Sequence, residues 1–397
     1  MDFQLTEDHL TARKWAHEFA EKEIRPVAPE YDESEDFPWP VVKKAAEIGL
    51  YSTEFWTDMV AGDATGLILP IVMEELCWGC AGISLGIFGT GLPLAALAYS
   101  ASPEQLLEWA PKMFGTPEDP RIAAFAVTES EAGSDVSALR TTAKQDGAEW
   151  VLNGRKVFIT NGGIADVHVV VATVDPELGH RGQAAFIIGP GNPGLSQGKK
   201  EKKLGIRASH TAEVVLEDCR IPLENVAGGM ERLEAKLERA RSNNGTRQHH
   251  ALKTFEMTRP SVAAQALGIA QAALEFSVDY AKERKTFGKP ILEHQGIAFK
   301  LADMAMEVEA SRLLTWRAAW MAKNGVEFQH AEGSMSKLKA SEVAVSVTEQ
   351  AVQVLGGYGY IKDFPVEKWY RDAKIYTIFE GTSEIQRLVI SRALATD

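Results

Sequence analysis

The sequence contains few cysteines and no excess of positive charge, and both absences narrow the classes of protein it can encode. Three cysteines among 397 residues are too few for the disulfide framework of a small secreted protein. Lysine and arginine number 42 against 55 aspartate and glutamate, a formal net charge of -13. An acidic surface does not suit nucleic acid or an anionic lipid surface as a general partner. A few local cations and helix N-termini can still bind an anionic ligand.

Long apolar runs are also absent from the sequence. The longest, near residues 66–73, spans about eight residues and contains Pro70, whereas a membrane span needs ~20. The first residues mix Asp2, Glu7 and Arg13 and lack the basic segment followed by an apolar one that marks a signal peptide. We therefore expect no membrane span and a cytoplasmic location.

Cys77 and Cys80 form a CxxC pair, which in other settings binds zinc or exchanges disulfides. Zinc would need two further ligands at suitable spacing, and the redox motif would follow a strand in a βαβ unit. The sequence offers neither context. We predict two buried or half-buried structural thiols and no metal site.

The apolar pattern changes twice along the chain, and the changes predict three domains. Helical spacing of Leu10, Trp15 and Phe19 follows a possible N-cap at Thr6. Alternation with a period of two then takes over, and helical spacing returns from Pro260 almost to the end. The predicted domains are helical over residues 1–120, β over 121–228 and helical over 229–397.

Two Asn-Gly pairs, Asn153-Gly154 and Asn161-Gly162, bracket a predicted strand over residues 157–160. Asn-Gly readily adopts the positive φ angles that two-residue hairpins require. Both pairs therefore predict hairpin turns.

Four segments resemble the signatures of acyl-CoA dehydrogenases. FAVTESEAGSD spans residues 125–135 and is followed by VFITNGG over 157–163. QVLGGYGY spans residues 353–360 and is followed by RDAKIYTIFEGTSEIQR over 371–387. Shorter matches lie between them at residues 258–260, 283–288 and 294–295. The resemblance covers nearly the whole chain and is greatest to medium-chain and short-chain members.

The resemblance implies an α+β multidomain fold with an N-terminal α-helical domain, a middle β-barrel domain and a C-terminal four-helix bundle. It also implies a homotetramer, a dimer of dimers, with one FAD per subunit. By the same resemblance, the residues around the flavin ring are Phe125, Val127, Thr128, Gly133, Ser134, Phe158, Ile159 and Thr160. Those that contact FAD across a subunit interface are Arg284, Lys285, Thr286, His294, Gln295, Gln353, Gly356 and Gly357. A further cofactor turn comprises Thr382, Ser383 and Glu384, and the substrate contacts are Ser134, Glu256, Arg259 and Gly381.

The activity that the resemblance implies is desaturation of an acyl-CoA thioester to the trans-2-enoyl-CoA. Glu380 matches the base that removes the α proton, while flavin N5 accepts the β hydride and an electron-transfer flavoprotein takes the electrons. A glutamate buried beside an apolar acyl chain should have a raised pKa, which suits a general base. The alternatives are an acyl-CoA oxidase or flavin monooxygenase on the same fold, or a non-catalytic subunit that binds FAD or acyl-CoA.

The sequence departs from the family pattern over residues 227–254, which are longer than usual. A charged helix over 231–241 and a flexible stretch over 242–245 replace a glycine-rich turn. One interpretation is a solvated insertion; the other is that Arg239, Arg241 or Arg247 binds the CoA phosphates. Phe158 stands where medium-chain members often have Trp, and Glu256 where many have Asp, so a straight, branched, cyclic or steroid-derived acyl group stays open.

Overall fold

Helices precede and follow a β-sheet in the computed structural model of the chain. It describes the backbone of residues 4–242 and 250–395 and the side chains of residues 4–242 and 258–395. The N-terminal helices are α1 (Glu7–Phe19), α2 (Ala28–Ser34), α3 (Trp39–Glu47), α4 (Ile68–Phe88), α5 (Gly91–Ser100) and α6 (Pro103–Phe114). The predicted cap of α1 is confirmed, because the Thr6 hydroxyl accepts a hydrogen bond from the His9 amide at 3.3 Å.

The middle of the chain forms one seven-stranded sheet. Its strands are β1 (Ala123–Ala126), β2 (Thr142–Asp146), β3 (Glu149–Thr160), β4 (Val167–Thr173), β5 (Gln183–Ile188), β6 (Leu195–Lys200) and β7 (Thr211–Pro222). The strand order is β1-β4-β2-β3-β7-β6, and β5 pairs with β4. The sheet has a core of its own that includes Trp150 and Phe186, whose rings meet edge to face at 5.3 Å.

The prediction of hairpin turns at the two Asn-Gly pairs is wrong. Asn153-Gly154 lies inside β3, where the pairing with β7 shifts register between Leu152 and Gly154. A Cβ at Gly154 would lie 2.5 Å from the Thr141 hydroxyl oxygen, so the glycine permits a close approach of two backbones at a bulge. Asn161-Gly162 does turn the chain, but β3 pairs with β2 and β7 and not with β4, which follows that turn.

The C-terminal part is helical again. Its helices are α7 (Gly229–Arg241), α8 (His250–Glu283), α9 (Gln295–Lys323), α10 (Glu332–Leu355), α11 (Val366–Ala373) and α12 (Ser383–Leu394). A short hairpin of β8 (Lys285–Thr286) and β9 (Lys289–Pro290) joins α8 to α9. The buried stripe of α8 is rich in alanine, with Ala263, Ala266 and Ala270 fully buried, so α4 and α10 can approach it closely. The predicted order of helices, sheet and helices is confirmed.

Two helices, α4 and the Thr258–Glu283 part of α8, are long and apolar enough to span a bilayer by length and composition alone. They are 94% and 72% buried inside the protein over their most apolar windows. Core helices of a folded domain meet the same criterion, so the two are weak evidence for a span. Cys77 and Cys80 of α4 are buried and form no disulfide with each other, which confirms the prediction that both thiols are buried.

A buried carboxylate, Asp372, connects the C-terminal helices to the β domain and, through Lys368, to the N-terminal helices. It accepts a hydrogen bond from the Ile206 amide of the β domain at 2.5 Å and pairs with Lys368 on its own helix. Lys368 in turn donates to the Cys80 sulfur of α4 at 3.2 Å. Burial opposes the charge on Lys368, but Asp372 raises its pKa overall. Removing one partner of such a pair leaves an uncompensated buried charge.

We expect Asp372→Asn to destabilise the fold by about 3 kcal/mol or more, because Lys368 would stay buried without a counter-charge. The matched control is Lys362→Met, which breaks an exposed ion pair with Glu33 at 2.7 Å between the same two ends of the chain. Such surface pairs contribute about 0–1 kcal/mol. Thermal unfolding of both variants checks this expectation, and equal midpoints would contradict it.

Candidate active site

Glu380 lies in a tight turn that leads into α12, and its backbone is left-handed with φ 54°. This conformation costs an L-residue roughly 1–2 kcal/mol, and such strain is typical of functional sites. Gly381 follows with φ 89°. The Thr382 hydroxyl then caps α12 by accepting from the Ile385 amide at 3.2 Å. A strained turn is thus fixed to the start of a helix.

Two buried side chains hold the carbonyl groups of this turn. The Gly381 carbonyl accepts hydrogen bonds from Lys337 Nζ at 2.7 Å and from Gln386 Nε2 at 2.9 Å. Gln386 Nε2 also lies 3.3 Å from the Glu380 carbonyl oxygen. Both Lys337 and Gln386 are 0% exposed. The two peptide planes that follow Glu380 are therefore anchored from α10 and α12.

The electrostatic environment of Glu380 suits a base. Burial raises the pKa of its carboxyl group, and the positive charges of Lys337 and Arg259 oppose that rise. Burial also lowers the pKa of Lys337 to about 8. Arg259 is itself buried, and its Nη1 donates a hydrogen bond to the Ser334 hydroxyl. A carboxylate with a raised pKa is a stronger proton acceptor at neutral pH than an exposed one.

The residues predicted around the flavin ring lie where β1 and β3 meet. Lys156 Nζ donates to the Val127 carbonyl at 2.9 Å, and the Val157 amide donates to the Thr128 carbonyl at 2.9 Å. The register of β3 against β7 then shifts between Lys156 and Ile159. As a result Phe158 has φ 59° and is 65% exposed.

The remaining residues of this predicted group differ in accessibility. Ile159 is buried in the core of the β domain, so only its backbone can contact a ligand. Phe125 and Thr160 are half-buried, whereas Gly133 and Ser134 are exposed. A Cβ at Gly133 would meet nothing within 4 Å. The group presents one exposed ring and several small or hydroxyl side chains.

The residues predicted to contact FAD across a subunit interface form a second group. His294 Nε2 lies 3.1 Å from the Thr286 carbonyl, and the Arg284 guanidinium lies 5.7 Å from the centre of the Tyr358 ring. Lys285, Gln295, Gln353, Gly356 and Gly357 are exposed. Lys337 and Gln353 share α10 but lie about 24 Å apart at 1.5 Å per residue. Among the described residues, the predicted contacts near Gln353 therefore lie far from the Glu380 turn, which Lys337 bonds.

The helix predicted over residues 231–241 is confirmed as α7. Its Leu233 and Leu237 pack against the β domain, so one face is not solvated. Arg241 pairs with Asp175 at 2.9 Å, and Arg239 Nε donates to the Ala235 carbonyl at 3.0 Å. Arg247 and the side chain of Glu256 lie outside the described residues. Phosphate binding by these arginines stays a hypothesis.

Sequence reasoning missed Lys337, Gln386 and Lys156. Lys337 interrupts the buried stripe of α10, three positions before Ala340 and seven before Ala344. A lysine at the same helical spacing as buried alanines could have indicated that its side chain is buried too. Lys156 is likewise 0% exposed and pairs with Glu129 at 2.8 Å.

Comparison with known proteins decides the family. The chain matches the N-terminal, middle and C-terminal domains of acyl-CoA dehydrogenase over residues 6–116, 124–219 and 243–395. It is 42% identical over 392 residues to the mitochondrial short-chain specific acyl-CoA dehydrogenase of Rattus norvegicus, covering 98% of this chain and 90% of that protein. The chain belongs to the acyl-CoA dehydrogenase family.

Similarity to solved structures supports this placement. Butyryl-CoA dehydrogenase from Megasphaera elsdenii matches with a TM-score of 0.88 and 37% identity over 100% of both chains. A chain from a structure on the electron transferring flavoprotein of Acidaminococcus fermentans matches with a TM-score of 0.88 and 38% identity, also over 100% of both.

Acyl-CoA dehydrogenases are FAD-dependent flavoproteins, and the described residues fit that cofactor. Phe158 exposes an aromatic ring from a left-handed backbone position beside Val127 and Thr128. In the second signature, the Ser383 hydroxyl is buried and has no hydrogen-bond partner within the described part of the chain. Buried polar groups normally have partners, so this hydroxyl would be available to a polar edge of the bound cofactor.

We expect Gly381→Ala to reduce acyl-CoA dehydrogenase activity strongly, because the new Cβ would lie 2.6 Å from Gln386 Nε2. The positive φ adds about 1–2 kcal/mol of strain. Gly147→Ala is the matched control, since φ is 61° there and a Cβ would meet nothing within 4 Å. Thermal unfolding measures the destabilisation that strain causes in each variant, and initial rates measure whether Glu380 is displaced. Equal activity of the two variants would contradict the expectation.

Proposed function

We propose that this acyl-CoA dehydrogenase converts a saturated acyl-CoA to the trans-2-enoyl-CoA with Glu380 as the base. The observation that carries the proposal is the Glu380 turn, where burial raises the pKa of a half-buried carboxyl group and the charges of the buried Lys337 and Arg259 oppose that rise. The relatives named as short-chain specific and butyryl-CoA enzymes favour a short acyl chain as the first substrate to test.

The reaction needs a base and a hydride acceptor on opposite sides of the α and β carbons. Bound FAD supplies the hydride acceptor, since no protein side chain can take that role. The Glu380 carboxylate takes the α proton and is protonated in the step. Its raised pKa favours that transfer.

Proton removal leaves developing negative charge on the thioester oxygen. We propose that the backbone N–H of Glu380 donates to this oxygen. The anchoring of the Glu380 and Gly381 carbonyls by Lys337 and Gln386 supports this role, because it restrains the backbone that directly follows the donor. One such donor contributes about 3 kcal/mol.

We also propose a homotetramer and electron transfer to an electron-transfer flavoprotein in the cytoplasm. Exposed apolar residues on α9, namely Phe299, Met306, Leu313 and Trp320, recur every seventh position. An exposed apolar stripe of this kind is typical of a subunit interface. The likeness to a chain from a structure on an electron transferring flavoprotein supports the electron acceptor. A partner chain would also complete the site, because the predicted FAD contacts fall into two separated groups.

Glu380→Gln should retain FAD but lose roughly 10²–10⁴-fold in the rate of flavin reduction, because the amide cannot accept the α proton. Stopped-flow absorbance with butyryl-CoA and other saturated thioesters measures that rate. The exposed neighbour Glu384 is unsuitable as a control because it lies in a predicted cofactor turn. Glu342→Gln removes an exposed carboxylate on α10 that pairs with Arg387, and it should react at the wild-type rate. Full activity of Glu380→Gln would refute the assignment.

The pH dependence of flavin reduction should follow ionisation of Glu380. Only the carboxylate accepts a proton, so the rate should rise with pH through the apparent pKa of this group. Burial raises that pKa, which places the midpoint above the ordinary glutamate value of about 4.3. Single-turnover rates over a pH series measure the midpoint. A rate that is constant down to the ordinary value would contradict a buried base.

A further inference from the structure

Lys337 differs from the other buried lysines in the partner it uses. Lys156 pairs with Glu129 at 2.8 Å, and Lys368 pairs with Asp372. Lys337 is just as buried, yet its hydrogen bond goes to the Gly381 carbonyl at 2.7 Å. No carboxylate within the described side chains pairs with it directly. An ammonium group held in the interior without a paired carboxylate is costly, so its position needs a reason beyond packing.

The charged groups around the turn come from three helices. Lys337 faces it from α10 and Arg259 from α8, and both act on Glu380. Glu384 on α12 acts on Lys337 together with Glu380 and Arg259. The Arg259 guanidinium also donates to Ser334. Lys337 is the cation of this set that bonds the Glu380–Gly381 turn itself.

We propose that Lys337 is a positioning residue for proton abstraction by Glu380. Its ammonium group fixes the left-handed turn through the Gly381 carbonyl, and its charge favours the ionised form of the neighbouring carboxylate. The inference rests on the proposed function, because it states how the base of that reaction is held in place and kept ionised.

The two effects of Lys337 can be separated because Gln386 bonds the same carbonyl. Gln386 Nε2 donates to the Gly381 oxygen at 2.9 Å and carries no charge. Without Lys337, this bond still supports the turn, whereas the charge beside Glu380 is lost. A neutral replacement at position 337 should therefore act mainly on the ionisation of the base.

The test compares the FAD-loaded wild type with Lys337→Gln and Lys337→Arg. The first readout is direct: infrared difference spectra against the corresponding Glu380→Gln forms follow protonation of the Glu380 carboxyl group across pH. The second is the pH profile of flavin reduction by butyryl-CoA. Lys337→Gln should move both midpoints up by about one unit or more. The rate at pH 7 should then fall roughly tenfold and recover at alkaline pH.

Lys337→Arg keeps the charge and should keep the wild-type midpoint, even if its larger group lowers the maximal rate. Lys339→Gln is the control on the same helix, since Lys339 is partly exposed and pairs with Glu307. It should change neither midpoint. FAD content and thermal unfolding of each variant identify loss of folding. If Lys337→Gln fails to fold, Lys337→Met takes its place with the same expected shift.

An unshifted Glu380 midpoint in the neutral variants would overturn the proposal, and so would an upward shift of the same size in Lys337→Arg. A merely structural lysine would lower stability and rate equally at all pH values, which also contradicts it. Failure of the wild type to reduce its flavin with any CoA thioester would instead refute the proposed function. The infrared titration would still decide the role of Lys337 in that case.

Discussion

A carboxyl group that acts as a base in an apolar site has to be ionised although it is partly shielded from water, and burial disfavours the ionised form. The surroundings of Glu380 meet that constraint with cations from two helices, Lys337 and Arg259, which oppose the effect of burial. Neither cation could lie there unless α8 and α10 packed closely, which the buried alanines of α8 permit. The chemistry of the site therefore depends on how α8 and α10 pack against each other.

The backbone at the site is as important as the charges. Glu380 is left-handed, Gly381 has a positive φ, and Thr382 caps the helix that follows. At the β domain, Phe158 is left-handed as well, at a register shift in β3. Strain at a non-glycine residue persists only where neighbouring contacts over-determine it. Near Phe158, Lys156 bonds the Val127 carbonyl and pairs with Glu129. Near Glu380, Lys337 and Gln386 both bond the Gly381 carbonyl.

The sequence predicts the order of helical and β segments because apolar spacing reports which face of an element is buried. The family signatures predict Glu380 as the base, and that assignment remains a prediction. The sequence does not predict the bulge at Gly154, because the close approach to Thr141 depends on two strands meeting. Nor does it reveal that Lys337 bonds Gly381, since the two are 44 positions apart and join only through packing of α10 and α12. The domain boundaries and the individual FAD contacts remain predictions.

The most direct test of the account is an anaerobic titration of the purified FAD-loaded protein with a panel of saturated CoA thioesters of different length and branching, followed by visible absorbance. At least one of them should bleach the oxidised flavin band, because a base and a hydride acceptor act together on adjacent carbons. An unchanged spectrum with every member of the panel would contradict it.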